Sequence, residues 1–123
     1  MKAVQLCIIR EALAQVSAQA ARNFIIQGLV AYPIALGGTS EQKTQYLPPI
    51  ANGEAIAAFA LSEPGGGSDV VAMKTTATLE DDEWVLNGEK KYISQTGEAS
   101  TYVVFAKNSP KAGSRSISAF IVE

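Results

Sequence analysis

Apolar positions in the first third of the chain recur at three- and four-residue steps: Leu6, Ile9, Leu13, Val16 and Ala20. That spacing puts them on one helical face, and the alanine-rich background from Lys2 to Leu36 favours helix throughout. Ser17 offers a break near the middle, so two helices are expected. Phe24, Ile25, Leu29, Tyr32 and Ile34 carry the second, strongly apolar one, weakened locally by Gly28, into a stop at Gly37-Gly38. Thr39 with Gln42 reads as a capping box that opens a short third helix through Glu41, Lys43, Gln45, Tyr46 and Leu47. Pro48-Pro49 and Asn52-Gly53 are expected to close it.

After Glu54 the pattern shifts to short β-rich runs at Ala57 to Leu61, Thr75 to Leu79, Trp84 to Leu86, Lys90 to Ser94, Thr101 to Lys107 and Ile117 to Val122. Asn87-Gly88 is the residue pair favoured by a two-residue hairpin turn, so Trp84-Val85-Leu86 is expected to fold back antiparallel onto Lys90-Lys91-Tyr92. Asp81-Asp82 and the segment from Ser109 to Ser114 read as exposed turns. The acidic cluster from Glu80 to Glu83 reads as a solvated loop rather than a metal site. Helices first and strands second predict an α+β layout with segregated halves.

Composition narrows the chemistry. With 123 residues, 47% of them hydrophobic, and a mean hydropathy of +0.10, the chain can build a core but is short for a protein that wraps a dinucleotide. The longest apolar runs are interrupted by Gly28, Pro33 and Gly37-Gly38, which predicts no membrane span. The N-terminal stretch, with Arg10, Glu11 and Arg22, lacks the apolar centre of a secretory signal, so a cytosolic location is the default expectation. Net charge is −2 and the ten Lys and Arg residues are scattered, which points away from nucleic acid and anionic membranes. The absence of histidine excludes Ser-His-Asp and Cys-His nucleophiles and imidazole metal sites within the chain. Cys7, the single cysteine, reads as a small buried packing residue. An organic cofactor is the chemistry that remains.

The segment best suited to hold one runs from Phe59 to Asp69, FALSEPGGGSD, where an apolar strand stops in hydroxyls, a carboxylate, a proline and three glycines. Gly65, Gly66 and Gly67 let a ligand approach the main chain without a Cβ in the way. A glycine cluster in isolation reads as a linker. Here a second polar-ended segment, Lys90-Lys91-Tyr92-Ile93-Ser94-Gln95-Thr96-Gly97, follows it. Phe59, Leu61 and Tyr92 taken singly read as sheet core, and Ser62 and Ser94 as strand-end caps. Glu63, before proline, reads as a residue that orders the turn rather than a catalytic acid or base.

Together these segments resemble the acyl-CoA dehydrogenase family. Its pattern of an aromatic residue, Thr/Ser-Glu-Pro and Gly-Ser-Asp, then Asn-Gly-x-Lys, then aromatic-Ile-Thr/Ser-x-Gly is similar to Phe59 to Asp69, Asn87-Gly88-Glu89-Lys90, and Tyr92 to Gly97. Tyr92 stands where tryptophan is frequent in the family, and Ser94 where threonine is. A smaller ring and a serine keep the aromatic face and the hydroxyl.

The resemblance implies that residues 1–54 are the end of an N-terminal helical domain and residues 55–123 part of a middle, antiparallel β-barrel domain. It implies FAD as cofactor. Phe59 and Leu61 would lie under the flavin and Ser62 at its pyrimidine edge, with Gly67 and Ser68 near the pyrophosphate. Tyr92 and Ile93 would lie against the ring and Ser94 near N5, while Ser68 would also meet the substrate. The implied reaction is α,β-dehydrogenation of an acyl-CoA to a trans-2-enoyl-CoA, with an electron-transfer flavoprotein as acceptor and an oligomeric assembly. The cytoplasm or, in a eukaryote, the mitochondrial matrix is the expected compartment. The catalytic base has no matching motif here, so the chain is expected to be a fragment or one component of a split enzyme. A noncatalytic flavin- or acyl-CoA-binding subunit and an inert helical remnant are the competing readings, and oxidases of the same architecture stay open.

Overall fold

Three helices form in the first part of the chain, and each boundary has a local cause. The computed structural model describes residues 3–109 and 113–123. Helix α1 spans Ala3–Val16 and α2 spans Ala18–Gly37. Between them Ser17 takes extended dihedrals (φ −155°, ψ 114°), and its hydroxyl accepts the Ala20 N–H at 3.2 Å, which satisfies one of the orphan donors at the start of α2. The expected break is therefore an N-cap. Helix α3, Ser40–Asn52, opens on the expected capping box, with Gln42 N–H donating to Thr39 Oγ1 and Thr39 N–H to Gln42 Oε1.

Two expectations in this half are corrected, for Pro48-Pro49 and for Cys7. Pro48-Pro49 does not end α3: their fixed φ near −65° is helical, and the helix runs through both despite the two lost N–H donors and the crowding of the preceding turn. The stop comes four residues on, where Gly53 turns left-handed (φ 76°) and the amides of Gly53 and Glu54 bond back to the carbonyls of Ile50 and Pro49. The buried face of α2 is Ala21, Ile26, Val30 and Ile34, so Leu29 and Tyr32 of the apolar run face outward. Cys7 is exposed, not buried: it sits about 100° around α1 from the half-buried Leu6. Helix α1 packs on α2 and α2 on α3, with Ile50 the buried residue of α3. No helix among the described residues is long and apolar enough to cross a membrane.

The second unit, Ala55–Glu123, is built on one five-stranded sheet. Its strands are β1 (Ala57–Ala60), β2 (Thr76–Glu80), β3 (Glu83–Asn87), β4 (Thr101–Lys107) and β5 (Ile117–Val122). Strand β4 is central. Along one edge it pairs with β1 from Thr101 to Val104 and meets β2 at Lys107, and along the other it pairs with β5. The expected all-antiparallel sheet is corrected to a mixed one: β4–β5 and β2–β3 are antiparallel, whereas β1 and β2 join β4 in parallel. Parallel strands sit where both faces are covered, and Ala57, Ala58, Ala60, Val103 and Ala106 are all buried. Phe59 leans on Phe105, ring centroids 5.0 Å apart, and Trp84 on Phe120 at 5.3 Å.

The expected hairpin is also corrected. Strand β3 folds back onto β2, not onto Lys90 to Ser94, and the latter segment is not a strand. The turn is Asp81-Asp82, both left-handed (φ 46° and 68°), the conformation that a two-residue turn of this twist demands and that aspartate tolerates. Gly88 serves a different purpose. A Cβ there would stand 2.5 Å from Thr75 Oγ1 and 2.6 Å from Thr75 Cα, so the glycine allows two main chains to pass in contact. The acidic residues 80–83 are exposed, and no group of acidic, His or Cys side chains able to hold a metal occurs among the described residues. Half of the turn expected at 109–114, residues 110–112, lies outside the described residues.

These assignments separate two glycine-type positions by experiment. Gly88→Ala should destabilise the protein by about 1–3 kcal/mol through overpacking against Thr75. Asp82→Gly, which relieves a left-handed side chain, should cost no more than about 0.5 kcal/mol. Urea denaturation of both variants checks this, and the reverse ranking would relocate the turn.

Candidate functional site

Leaving β1 at Ala60, the chain makes a narrow turn at Glu63-Pro64-Gly65-Gly66, closed by reciprocal bonds between the main chains of Glu63 and Gly66 (3.0 and 3.2 Å). Beyond it, Asp69 caps a short 3-10 turn, Val70–Ala72, by accepting the Ala72 N–H at 3.3 Å. Proline at the second position of the turn presets φ, and the glycines that follow keep the main chain bare.

The Glu63 side chain turns inward from this loop and is 7% exposed. Its Oε1 accepts Thr75 N–H at 2.9 Å, Thr75 Oγ1–H at 2.5 Å and Lys90 Nζ at 2.8 Å, while Oε2 accepts Lys74 N–H at 2.6 Å. Burial alone would raise this carboxyl. The Lys90 ammonium, the Thr75 hydroxyl and the two amides outweigh burial and hold the group at about 2, against an ordinary 4.5. Glu63 is therefore a fixed carboxylate that orders the loop, as its place before proline suggested.

The second segment approaches from the end of β3. Lys90, with its side chain 10% exposed, also donates to the Leu61 carbonyl at 3.1 Å, and the Lys91 N–H donates to the Ser62 carbonyl at 2.8 Å. The two motif segments are thus bonded side by side through residues 61–63 and 90–91. Next, Tyr92 takes φ 60°, is 84% exposed as a residue, and has Lys91 Nζ 4.7 Å from its ring centre. A left-handed bulky residue is uncommon and marks a strained, locally fixed backbone. The chain then closes in a turn around Gln95 (φ 67°) and Gly97, held by Thr96 Oγ1–H to Ile93 O at 2.8 Å and Gly97 N–H to Tyr102 Oη at 3.3 Å.

The structure distributes the expected site residues as follows. Leu61 and Ser62 are bonded directly to the second segment, and Tyr92, Ile93 and Ser94 follow the bonded lysines in the chain. Ser94 and Tyr92 are exposed, and Ile93 is half-buried. Gly67 and Ser68 lie exposed beyond the turn. Phe59 is half-buried in β1 with its ring engaged by Phe105. Sequence reading missed Lys90 and Thr75 as the partners of Glu63. The available signal was charge: a lysine in the Asn-Gly-x-Lys motif, inside an otherwise β-rich segment, calls for a buried counter-charge.

Comparison with known proteins identifies this architecture. The family described as "Acyl-CoA dehydrogenase, N-terminal domain" matches residues 1–54, and "Acyl-CoA dehydrogenase, middle domain" matches residues 58–123. The chain belongs to the acyl-CoA dehydrogenase family. The mitochondrial short-chain specific acyl-CoA dehydrogenase of Rattus norvegicus is 51% identical over 90 residues, 73% of this chain and 22% of that protein. A chain of the structure described as an electron transferring flavoprotein of Acidaminococcus fermentans superposes with a TM-score of 0.86 at 43% identity, over 93% of this chain and 30% of that one. A structure described as an FAD complex of PigA gives a TM-score of 0.89 at 31% identity, over 96% of this chain and 32% of that one. The chain thus spans between about a fifth and a third of the length of these relatives.

The Glu63 cage predicts a pH signature. A carboxyl depressed in the folded state contributes fully above its unfolded value, and that contribution fades as pH falls from about 4.5 towards 2. On the order of 3 kcal/mol should be lost across that window. Glu63→Gln should lie about 3–5 kcal/mol below the parent at neutral pH, because Lys90 keeps a buried, unpaired charge. The variant should also lose the Glu63 share of the acid dependence. Denaturant melts of both proteins between pH 7 and pH 2.5 check both statements.

Proposed function

We propose that this chain is the flavin-facing part of an FAD-dependent acyl-CoA dehydrogenase. Residues 1–54 would form the end of its helical domain and residues 55–123 part of its middle β-domain. The observation that carries the reading is the direct bonding of the Leu61-Ser62-Glu63 strand end to Lys90-Lys91, which sets two loops of neutral donors beside one another. The family match and the FAD named in a 31% identical relative support the cofactor.

The residues present fit such a ligand. Around the Cβ positions of Gly65 and Gly67 no atom lies within 4 Å, so the main chain there is open to a close approach. Ser68, Tyr92 and Ser94 are exposed; of the segment's two carboxylates, Glu63 is already neutralised by Lys90 and Asp69 accepts the Ala72 N–H. When bound, FAD supplies the hydride acceptor for oxidation of a CH–CH bond.

The chain's own residues bind and orient. Ser62 and Ser94 offer hydroxyls to the polar edges of the ring system, and Tyr92 and Ile93 an aromatic and an aliphatic surface. Phe59 and Leu61 form the apolar wall at the end of β1. Gly67 N–H and the Ser68 hydroxyl suit the pyrophosphate, and Ser68 the acyl-CoA. Glu63 does not serve as the base that takes the α-proton, since a carboxylate held near pH 2 by four donors has too little basicity. The base belongs to another part of the enzyme. A short acyl chain and an electron-transfer flavoprotein as acceptor follow the names of the relatives at 51% and 43% identity.

Titration of the isotopically labelled chain with FAD, followed by amide chemical shifts, tests this reading. Binding should be weak enough to be lost on gel filtration, because a partial site meets the ordering cost with few contacts. Shifts should concentrate in residues 61–69 and 92–97 and spare the Asp81-Asp82 turn. Ser62→Ala and Ser94→Ala should each weaken binding several-fold, with melting changed by only about 0.5–1.5 kcal/mol. Shifts confined to other surfaces, or no shifts at millimolar FAD, would overturn the proposal.

A further inference from the structure

Lys90 and Gly88 lie two residues apart, and each meets one member of the hydrogen-bonded Glu63–Thr75 pair. Gly88 passes against Thr75, whose hydroxyl and amide both donate to Glu63 Oε1. Lys90 donates to that same oxygen and to the carbonyl of Leu61. The contacts close a ring: Gly88 against Thr75, Thr75 to Glu63, Glu63 to Lys90, and Lys90 back along the chain to Gly88. Within the ring the ammonium is the sole group that bonds both the side chain and the main chain of the 61–63 strand end.

We propose that Lys90 is a positioning residue, a clasp whose ammonium fixes the 61–67 loop against the 91–97 loop and so presets the spacing of the ligand-facing groups on each. Its ligand consequence rests on the flavin reading above; its mechanical part does not.

The geometry carries this through three bonds that join the two segments directly. Each loop has its own local closure, the Glu63–Gly66 turn on one side and the Gln95 turn on the other. Between them run the two Lys90 bonds and the Lys91 to Ser62 main-chain bond. Loss of the ammonium removes two of these three ties. It also leaves the Glu63 carboxylate without a counter-charge close to a loop proposed to receive an anionic pyrophosphate. Glu63 still keeps its bonds to Thr75 and Lys74 in that case, so the sheet itself remains closed on β2.

Lys90→Met, with Lys90→Gln as a milder variant and Lys90→Arg as the charge-retaining control, tests the clasp in the 123-residue chain. Amide exchange of residues 62–67 and 91–97 should quicken in Lys90→Met by about tenfold or more beyond any change in the β4–β5 ladder. FAD binding should weaken by about tenfold or more, the scale on which supporting residues act, with partial recovery in Lys90→Arg. Parent-like exchange in both loops would overturn the proposal. So would acceleration spread equally over β4–β5, up to loss of the fold, since that marks a general stabiliser. The exchange measurement contains no FAD. If the parent protein fails to bind FAD, the flavin assignment falls while the clasp is still decided by exchange.

Discussion

A buried carboxylate with its donors arranged around it is the constraint on which the β-unit's functional end depends. The Glu63 side chain is withdrawn from water, and an ionised carboxyl there is tolerable only if its lone pairs are filled. Thr75, Lys74 and Lys90 fill them. Such a pair contributes little net stability over a well-packed apolar substitute, because desolvation offsets the attraction. Its value lies in uniqueness. Donors from residues 74–75 and 90 must all converge on one side chain, which leaves few alternative registers for either loop.

The sheet beneath is arranged to allow this. Alanines at 57, 58, 60, 77 and 106 keep the strands around β4 thin, and both faces of β1 are covered. Strand β4 takes β1 along its first half and β2 at its last residue on the same edge, so the loops leaving β1 and entering β2 are neighbours. The β2–β3 hairpin then returns the chain to Thr75, where Gly88 passes without a side chain. The charged pair Glu63–Lys90 is buried, while exposed hydroxyls, main-chain amides and an aromatic ring stand above it, with Asp69 and Lys91 at the surface beside them. That separation suits a site in which neutral donors orient a ligand and the charges beneath hold the donors still.

Helix positions were legible from sequence because their causes are local. The Ser17 cap, the Thr39–Gln42 capping box and the Gly53 stop each act within four or five residues. The strands at 101–107 and 117–122 were equally plain, since apolar β-formers there are bounded by turn residues. The hairpin was misread because Asn87-Gly88 has the composition of a turn, and composition does not say whether glycine is needed for a dihedral or for a close approach. Asp81-Asp82 makes the turn because β2 offers a longer, better matched partner for β3 than the polar Lys90-Lys91 segment does.

By itself, then, the sequence determined the order of helices and strands, the two loop motifs and the family they resemble, because periodicity, capping and motif spacing are properties of short stretches of chain. Tertiary structure alone decided that β1 runs parallel to β4, that Cys7 faces outward, and that Lys90, Thr75 and Glu63 share one oxygen. Those contacts join residues 12 to 44 positions apart. Nothing in the local pattern encodes such pairings; they follow from where the sheet brings the chain back upon itself.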